Sequence, residues 1–338
     1  MNASLKTIAE TENLSELLDL ATGYQKAKVL FTFAELKLAD ILRKKPLTAK
    51  EAAQTAKINQ LAMERFLNAC VSIGLLEKVG ENYHNSVLSK QFLLEDAEFY
   101  LGGQIKRYSE RSYPMWADLT EHLKNWEYGD SEKSTPESDD QGAEAMAEQH
   151  NLSLLHGHAL AKAFNFTKYK KVLDLGGGTG AMSIGLCANY ENMRAVVFDL
   201  PENVETAQTF TEKADLANRI ETLGGDFQKV GLPDDFDVAL LANFMSVAEE
   251  SDNKKLLADI FEKLPSGGIC ILSGLIMDDS RLAPQTAVLF SLEDICWNSP
   301  DVERSEKDYT EWLKQAGFQN IECRTYLEPT KMLYGFKP

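Results

Sequence analysis

The stretch Val172-Leu-Asp-Leu-Gly-Gly-Gly-Thr-Gly180 is an apolar run that stops at an acid and then turns on glycine. Lys171 to Leu175 reads as a short buried strand bounded by a turn signal. Gly176, Gly177, Gly178 and Gly180 carry no Cβ, so a ligand can come close to that backbone. Ala181 to Tyr190 reads as a helix whose first N–H groups face the turn, a setting that favours a nucleotide-like group.

Two nucleotide patterns compete. Gly176, Gly178 and Ala181 satisfy G-x-G-x-x-A, the dinucleotide fingerprint, and Asp199 follows at a suitable distance. Against it, Asp174 stands two residues before the first glycine, where that pattern carries an apolar residue. A further acid, Asp226 in Leu223-Gly-Gly-Asp-Phe227, follows the next strand-like run. One loop acid is readily a helix cap. Three acids, each closing a successive strand, resemble the class I S-adenosylmethionine (SAM) methyltransferases. That resemblance implies that Asp199 accepts the ribose hydroxyls, Asp226 takes the adenine amino group and Phe227 stacks on the ring.

Composition narrows the function classes. With 338 residues the chain is long enough for two domains with real cores. A net charge of −17 argues against a nucleic-acid surface and favours a soluble protein; with the apolar runs and cysteines below, the expectation is a cytoplasmic chain with no membrane partner. No apolar run approaches transmembrane length, and Met1 to Glu12 has no signal-peptide core. Cys70, Cys187, Cys270, Cys296 and Cys323 are scattered and odd in number, as free thiols in a reducing compartment would be. The five histidines form no zinc motif, and no metal site is expected.

Outward from the glycine turn, strands and helices alternate, which implies a parallel sheet wrapped by helices. Strands are expected near 171–175, 194–199, 219–224, 236–242, 268–275, 320–327 and 331–337. The last two are joined by Glu-Pro-Thr as a hairpin, so the sheet should finish with one antiparallel strand. Upstream, residues 13–100 read as mainly helical. Leu14 to Leu20 and Lys26 to Leu42 carry apolar residues at helical spacing. Thr48 and Glu51 form a capping box, Asn59 precedes a helix over Leu61 to Ser72, and Ile73 to His84 reads as a hairpin. This is a winged-helix pattern. Its third helix carries Arg65 as its one base beside Glu64, which suits burial against another subunit better than a phosphate backbone. Phe99 to Trp126 reads as a long helix or helix pair, Glu127 to Gly142 as a solvated loop or lid, and Ala143 to Phe166 as a further helix. The expected domains are 1–100, a helical linker 101–165 and an α/β unit 166–338.

The whole chain resembles the small-molecule O-methyltransferases of the plant caffeate and hydroxyindole type and their bacterial tailoring relatives. Its markers are Val172 to Gly180, Phe198-Asp-Leu-Pro201, Gly225-Asp-Phe227, Leu264-Pro-Ser-Gly-Gly268 and Glu303-Arg-Ser305. The resemblance implies a winged-helix dimerisation domain, hence a homodimer, followed by a Rossmann-like seven-stranded class I methyltransferase domain. It implies SAM as cofactor, S-adenosylhomocysteine as product and a small-molecule acceptor. Expected cofactor contacts are Asp174, Gly176, Gly178, Asp199, Leu200, Asp226, Phe227 and Asn243. Arg107, Tyr108, Tyr113, Trp116, Met146 and Trp297 are the expected acceptor contacts. Arg107 and Arg111, one helical turn apart, would clamp an anionic acceptor or else form surface ion pairs with Glu110 or Asp118.

The chain departs from the family where the chemistry is done. The family carries His-Asp-Trp after its fourth strand; here Ser246, Val247 and Ala248 stand there, with Ala242 and Asn243 at the usual basic positions. Gly274 replaces the acid after strand five, and only the acid of Glu303-Arg-Ser is kept. A phenol needs a base to take its proton before it attacks a methyl sulfonium. Without the His, the acceptor is a thioether or tertiary amine, or a carboxylate, or another residue is the base. His150, His156, Tyr108, Tyr113 and Glu303 are the candidates. His150, four residues after Met146, lies on a helix that faces the cofactor in relatives. His156 and His158 point to different helix faces, so at most one turns inward. The assigned catalytic set is therefore His150, Glu303 and Ser246. The rival readings are O-methylation with a substitute base, a SAM-binding isomerase, cyclase or hydroxylase, and a SAM-sensing regulator.

Overall fold

The computed structural model describes residues 6–126, 139–245, 249–296 and 304–338. The chain divides into two compact units, Met1–Arg111 and Ser112–Pro338.

The first unit opens with α1 (Lys6–Glu35), one helix across both expected apolar segments. It stops where Lys37 turns left-handed (φ 49°) ahead of α2 (Leu38–Ile41). There follow β1 (Leu47–Thr48), α3 (Ala49–Ala56), α4 (Gln60–Ser72), β2 (Leu76–Val79), β3 (Asn82–Asn85), α5 (Val87–Phe92) and α6 (Gly102–Arg107). The capping box forms as expected: the Glu51 N–H donates to Thr48 Oγ1, and the Thr48 N–H donates to Glu51 at 2.9 Å. The Asn59 side chain caps α4 by accepting from Leu61 and Ala62 N–H. The wing is a hairpin, β2–β3, to which β1 adds a third antiparallel strand in the order β1-β3-β2. Met63, Leu67 and Cys70 on one face of α4 are buried. On α1, by contrast, Leu14, Leu17, Leu18, Leu20 and Tyr24 stay 52–77% exposed, an apolar row without cover inside this chain.

The long helix or helix pair expected over Phe99 to Trp126 is divided into shorter pieces. A π-helical turn, Tyr108–Ser112, follows α6 and leads into α7 (Tyr113–Ala117) and α8 (Leu119–Asn125). Pro114, which has no N–H to give the preceding turn, sits in the first turn of α7. Next comes α9 (Asp139–Ala163), starting four residues before the expected Ala143. The rest of the expected lid, 127–138, lies outside the described residues.

The second unit then runs β4 (Lys171–Leu175), α10 (Ala181–Asn189), β5 (Arg194–Asp199), α11 (Val204–Lys213), β6 (Ile220–Gly224), α12 (Phe227–Val230), β7 (Val238–Ala242), α13 (Glu250–Lys263), β8 (Ile269–Gly274), α14 (Gln285–Cys296), α15 (Glu306–Ala316), β9 (Gln319–Leu327) and β10 (Thr330–Phe336). The seven strands fall within two residues of the sequence reading at either end. They form one sheet in the order β6-β5-β4-β7-β8-β10-β9, parallel except for β10, which inserts between β8 and β9. Residues alternate along each strand, so Leu173, Leu175, Val196, Phe198, Ala239 and Leu241 join one core with Leu257, Trp312 and Leu313. Val172, Val197, Val238 and Leu240 join the other, with Leu160, Phe166 and Leu186. The second core presses α9 on α10 at a glycine crossing: a Cβ on Gly185 would stand 2.5 Å from the Gly157 carbonyl carbon. That crossing fixes one face of α9 beside the glycine turn.

Candidate active site

The turn after β4 is built for close approach. Gly176, Gly178 and Gly180 have φ of 66°, 54° and 73°, which L side chains rarely adopt. A Cβ on Gly176 would fall 2.3 Å from the Phe244 ring, so the strand end is held beneath that ring. Asp174 is fully buried; one oxygen accepts from Ser183 Oγ at 2.7 Å and the other, Oδ1, has no hydrogen-bond partner among the described residues. Burial pushes its carboxyl up to about 6, against the lowering effect of Ser183. An unpartnered buried oxygen on an acid is a vacancy for a donor, and a cationic one suits it best.

On the β5–β6 side, Asp199 ties two loops together. Its Oδ2 accepts from the Gly178 N–H at 2.7 Å, and its Oδ1 from the Leu200 N–H and the Asn203 amide, each at 2.7 Å. Asp226 is the N-cap of α12, accepting from the Gln228 N–H at 3.0 Å and pairing with Lys229 at 2.9 Å. Lys229, then the Gln228 N–H, hold its carboxyl below the ordinary range. Phe227 meets the Phe244 ring edge-on at 5.7 Å, and Leu200 is exposed.

On the other side of β4 lies a cavity of about 200 Å³. Gly176, Gly177, Gly178, Thr179, Asp174 and Met182 line it at the turn. Ala242, Asn243 and Ser273 line it from the ends of β7 and β8, Tyr326 and Thr330 from the β9–β10 hairpin, and Met146, Gln149, Ser153 and His156 from α9. Asn243 has φ 50° and donates its N–H to the Ser273 carbonyl at 2.8 Å. His156 Nε2 is 3.2 Å from Thr330 Oγ1, and Ser273 Oγ is 2.8 Å from the Tyr326 hydroxyl. His158 turns the other way, to Asn189 at 2.8 Å. The sequence reading missed Gln149, Ser153, Ser273, Tyr326 and Thr330. For Gln149 and Ser153 the one available signal was their helical spacing with Met146 and His156 along α9, which puts all four on one face; the three strand residues gave none.

His150 does not line the cavity. It is buried behind the turn, with Nδ1 2.8 Å from Thr179 Oγ1 and its ring stacked on Phe210 at 3.9 Å. Burial, and then the Lys213 charge, lower its pKa to about 4, so it is neutral near pH 7. Trp116 Nε1 donates to Glu293 on α14 at 3.5 Å, and Ser112 Oγ donates to the same carboxylate at 2.5 Å. Tyr113 opens α7, while Arg107 and Tyr108 belong to the first unit. Ser246, Trp297 and Glu303 lie outside the described residues. Among the described residues no group of side chains is arranged to hold a metal, and no helix is long and apolar enough to cross a membrane.

Comparison with known proteins places these features in a family. Residues 119–319 match the O-methyltransferase domain and residues 18–95 the O-methyltransferase dimerisation domain. The 3-hydroxy-5-methyl-1-naphthoate 3-O-methyltransferase of Streptomyces sahachiroi is 29% identical over 326 residues, covering 93% of this chain and 92% of the relative. The N,N-dimethyltransferase OxyT of Streptomyces rimosus is 29% identical over 320 residues, with 92% of each chain covered. Human N-acetylserotonin methyltransferase in complex with SAM superposes with a TM-score of 0.84 at 25% identity, covering 100% of this chain and 99% of that one. With the catalytic-domain model matched over more than half its length, the chain belongs to the O-methyltransferase family and is a SAM-dependent methyltransferase.

Proposed function

We propose that this chain methylates a small-molecule acceptor that arrives as a ready nucleophile, a thioether sulfur or a carboxylate ahead of a hydroxyl that must first lose its proton. The observation that carries the reading is the segment after β7. Asn243, Phe244 and Met245 lead into Ser246-Val-Ala, with no ionisable side chain where the family keeps its base.

The residues present suit the cofactor. The glycine turn leaves its backbone open, Asp199 presents a carboxylate beside it, and Asp174 Oδ1 lacks a donor that an ammonium group would supply. The cavity is smaller than the roughly 300–1,000 Å³ of a drug-sized site, so it takes the amino-acid and sulfur end, with the nucleoside across the turn toward Asp199 and Asp226. When bound, SAM supplies an electrophilic methyl group on a sulfonium. The chain's part is orientation and exclusion of water, which for a well-aligned pair contribute on the order of 7–11 kcal/mol to lowering the barrier. His150 acts on the turn: held by Thr179 and stacked on Phe210, it fixes the backbone that carries the donor.

A second reading keeps a hydroxyl acceptor and makes His156 the base. It is favoured by the hydroxynaphthoate that the Streptomyces sahachiroi relative is named for, and by the place of His156 on the cavity wall. The acting unit is proposed to be a homodimer, because the apolar row of α1 lies in a segment that runs into the dimerisation-domain match. A monomer in sedimentation at micromolar concentration contradicts that assembly.

The deciding experiment incubates the protein with methyl-labelled SAM and a panel of thioethers, carboxylates, amines and phenols. Transfer to sulfur or carboxylate supports the first reading, and transfer to phenols alone replaces it with the second. Binding of SAM with no transfer across the panel favours a derived reaction or a sensor.

A further inference from the structure

The end of the cavity away from the β5–β6 acids has a composition that the methyl transfer itself does not require. His156 comes from α9, Ser273 from β8, Tyr326 from β9 and Thr330 from β10, and all four line the cavity with Asp174. They form two pairs: His156 with Thr330 at 3.2 Å, and Ser273 with Tyr326 at 2.8 Å. The Tyr326 ring also meets His156 edge-on at 6.2 Å, which links the pairs. Among the described residues no lysine or arginine lines the cavity.

A proton count defines what this corner offers. Neutral imidazole and the threonine hydroxyl hold two exchangeable protons, and their mutual bond uses one. The two hydroxyls of Ser273 and Tyr326 likewise hold two and use one. No other side-chain hydrogen bond is made by these four among the described residues. Each pair therefore keeps one proton to give, and a carboxylate has two oxygens to receive them. Asp174 lines the same cavity from the end of β4, and its buried Oδ1, unpaired among the described residues, favours an ammonium group nearby and disfavours a carboxylate.

Resting on the cofactor reading above, we infer that His156–Thr330 and Ser273–Tyr326 form the subsite that receives the carboxylate of the donor's amino-acid end. They hold it by neutral hydrogen bonds in place of a cation. Burial keeps His156 neutral and moves the Tyr326 hydroxyl up to about 12, so both remain donors at neutral pH. With Asp174 in the same cavity, the site reads the two charges of the zwitterion in order and so sets the direction in which the sulfur points.

The test compares S-adenosylhomocysteine with 5′-methylthioadenosine, which keeps the nucleoside and sulfur but lacks the amino-acid end. Calorimetric affinities are measured for wild type, Tyr326→Phe and Thr330→Val, each of which keeps the shape of the side chain. The expected result is a loss of roughly ten- to hundredfold for S-adenosylhomocysteine in each variant, as for a hydrogen bond to a charged group. Affinity for 5′-methylthioadenosine should stay unchanged, which also reports an intact fold. Equal loss for both ligands means the pairs only support the wall, and no loss for either means they touch nothing; both overturn the inference. Equal affinity of wild type for the two ligands overturns it while leaving the cofactor reading in place. Wild type that binds neither ligand overturns both.

Discussion

The two halves of the sheet on either side of β4 carry polar groups of different origin. On the β5–β6 side they are carboxylates at strand ends, held mostly by their own loops: Asp199 by Leu200 and Asn203, with the Gly178 N–H of the glycine turn, and Asp226 by Gln228 and Lys229. On the β7–β8–β10–β9 side they are hydroxyls and an imidazole paired between elements, with His156 and Thr330 separated by 174 positions. The first kind is specified by short runs of sequence. The second exists only after the chain has folded.

The comparison breaks first at the boundary between the halves. Gly176→Ala should lower donor affinity by about two decades, near 3 kcal/mol, because a left-handed φ and an overpacked contact with Phe244 add. Calorimetry with S-adenosylhomocysteine measures it. Phe244→Ala in the same chain should return the contact part and leave the backbone part. On the nucleoside side, Asp199→Ala should cost about 1–3 kcal/mol in donor affinity, one to two decades. It removes the acceptor for the Gly178 N–H as well as for the ligand, so 5′-methylthioadenosine should weaken as much as S-adenosylhomocysteine. Tight NAD binding with none of SAM, in the same titration, would refute the assignment of this half.

The same contrast explains what the sequence disclosed. Asp174, the glycines, Asp199 and Asp226 announce themselves because each closes a strand and its neighbours are turn residues. The ends of β4, β5, β7 and β8 fell within two residues because buried parallel strands read as uninterrupted apolar runs. The hydroxyl corner was illegible: Ser273, Tyr326 and Thr330 each look like ordinary strand residues, and only the sheet order β8-β10-β9 gathers them. The long helix or helix pair expected over Phe99 to Trp126 is cut into shorter pieces because apolar spacing persists through a π turn and Pro114 while the hydrogen-bond ladder does not. His150 was read as facing the donor from its helix alone, whereas its partner Thr179 lies 29 positions away.

Asp174 sharpens the comparison through pH. Its folded pKa is raised, so ionisation opposes folding of the free protein: the apo fold gains stability as pH falls from about 6 toward the ordinary carboxylate range. Donor binding has the opposite sign, since the ammonium group needs the ionised acid. Affinity for S-adenosylhomocysteine should therefore fall by up to about tenfold per unit below pH 6, and Asp174→Asn should be weaker but flat. A smaller effect is expected behind the turn. His150→Leu and Thr179→Val should each raise the donor Kd by about tenfold, roughly the net worth of one buried hydrogen bond, and leave the pH–rate profile unchanged. A basic limb that disappears only in His150→Leu would instead make it a base.

The smallest effect is expected where the family keeps its base. A serine hydroxyl cannot take a proton near neutral pH without a base of its own. No such partner is written into Ser246-Val-Ala, flanked by Met245 and Glu249. An acceptor that needs no deprotonation asks nothing of this position beyond shape. Ser246→Ala should accordingly reduce turnover by less than tenfold, under about 1.4 kcal/mol, with donor affinity unchanged. The measurement is single-turnover methyl transfer to the acceptor found in the panel, beside calorimetry on the same variant. Loss of transfer with donor binding intact would mean that the hydroxyl holds the acceptor directly. The segment after β7 would then carry catalysis at a residue, and not only through the geometry that the two halves impose.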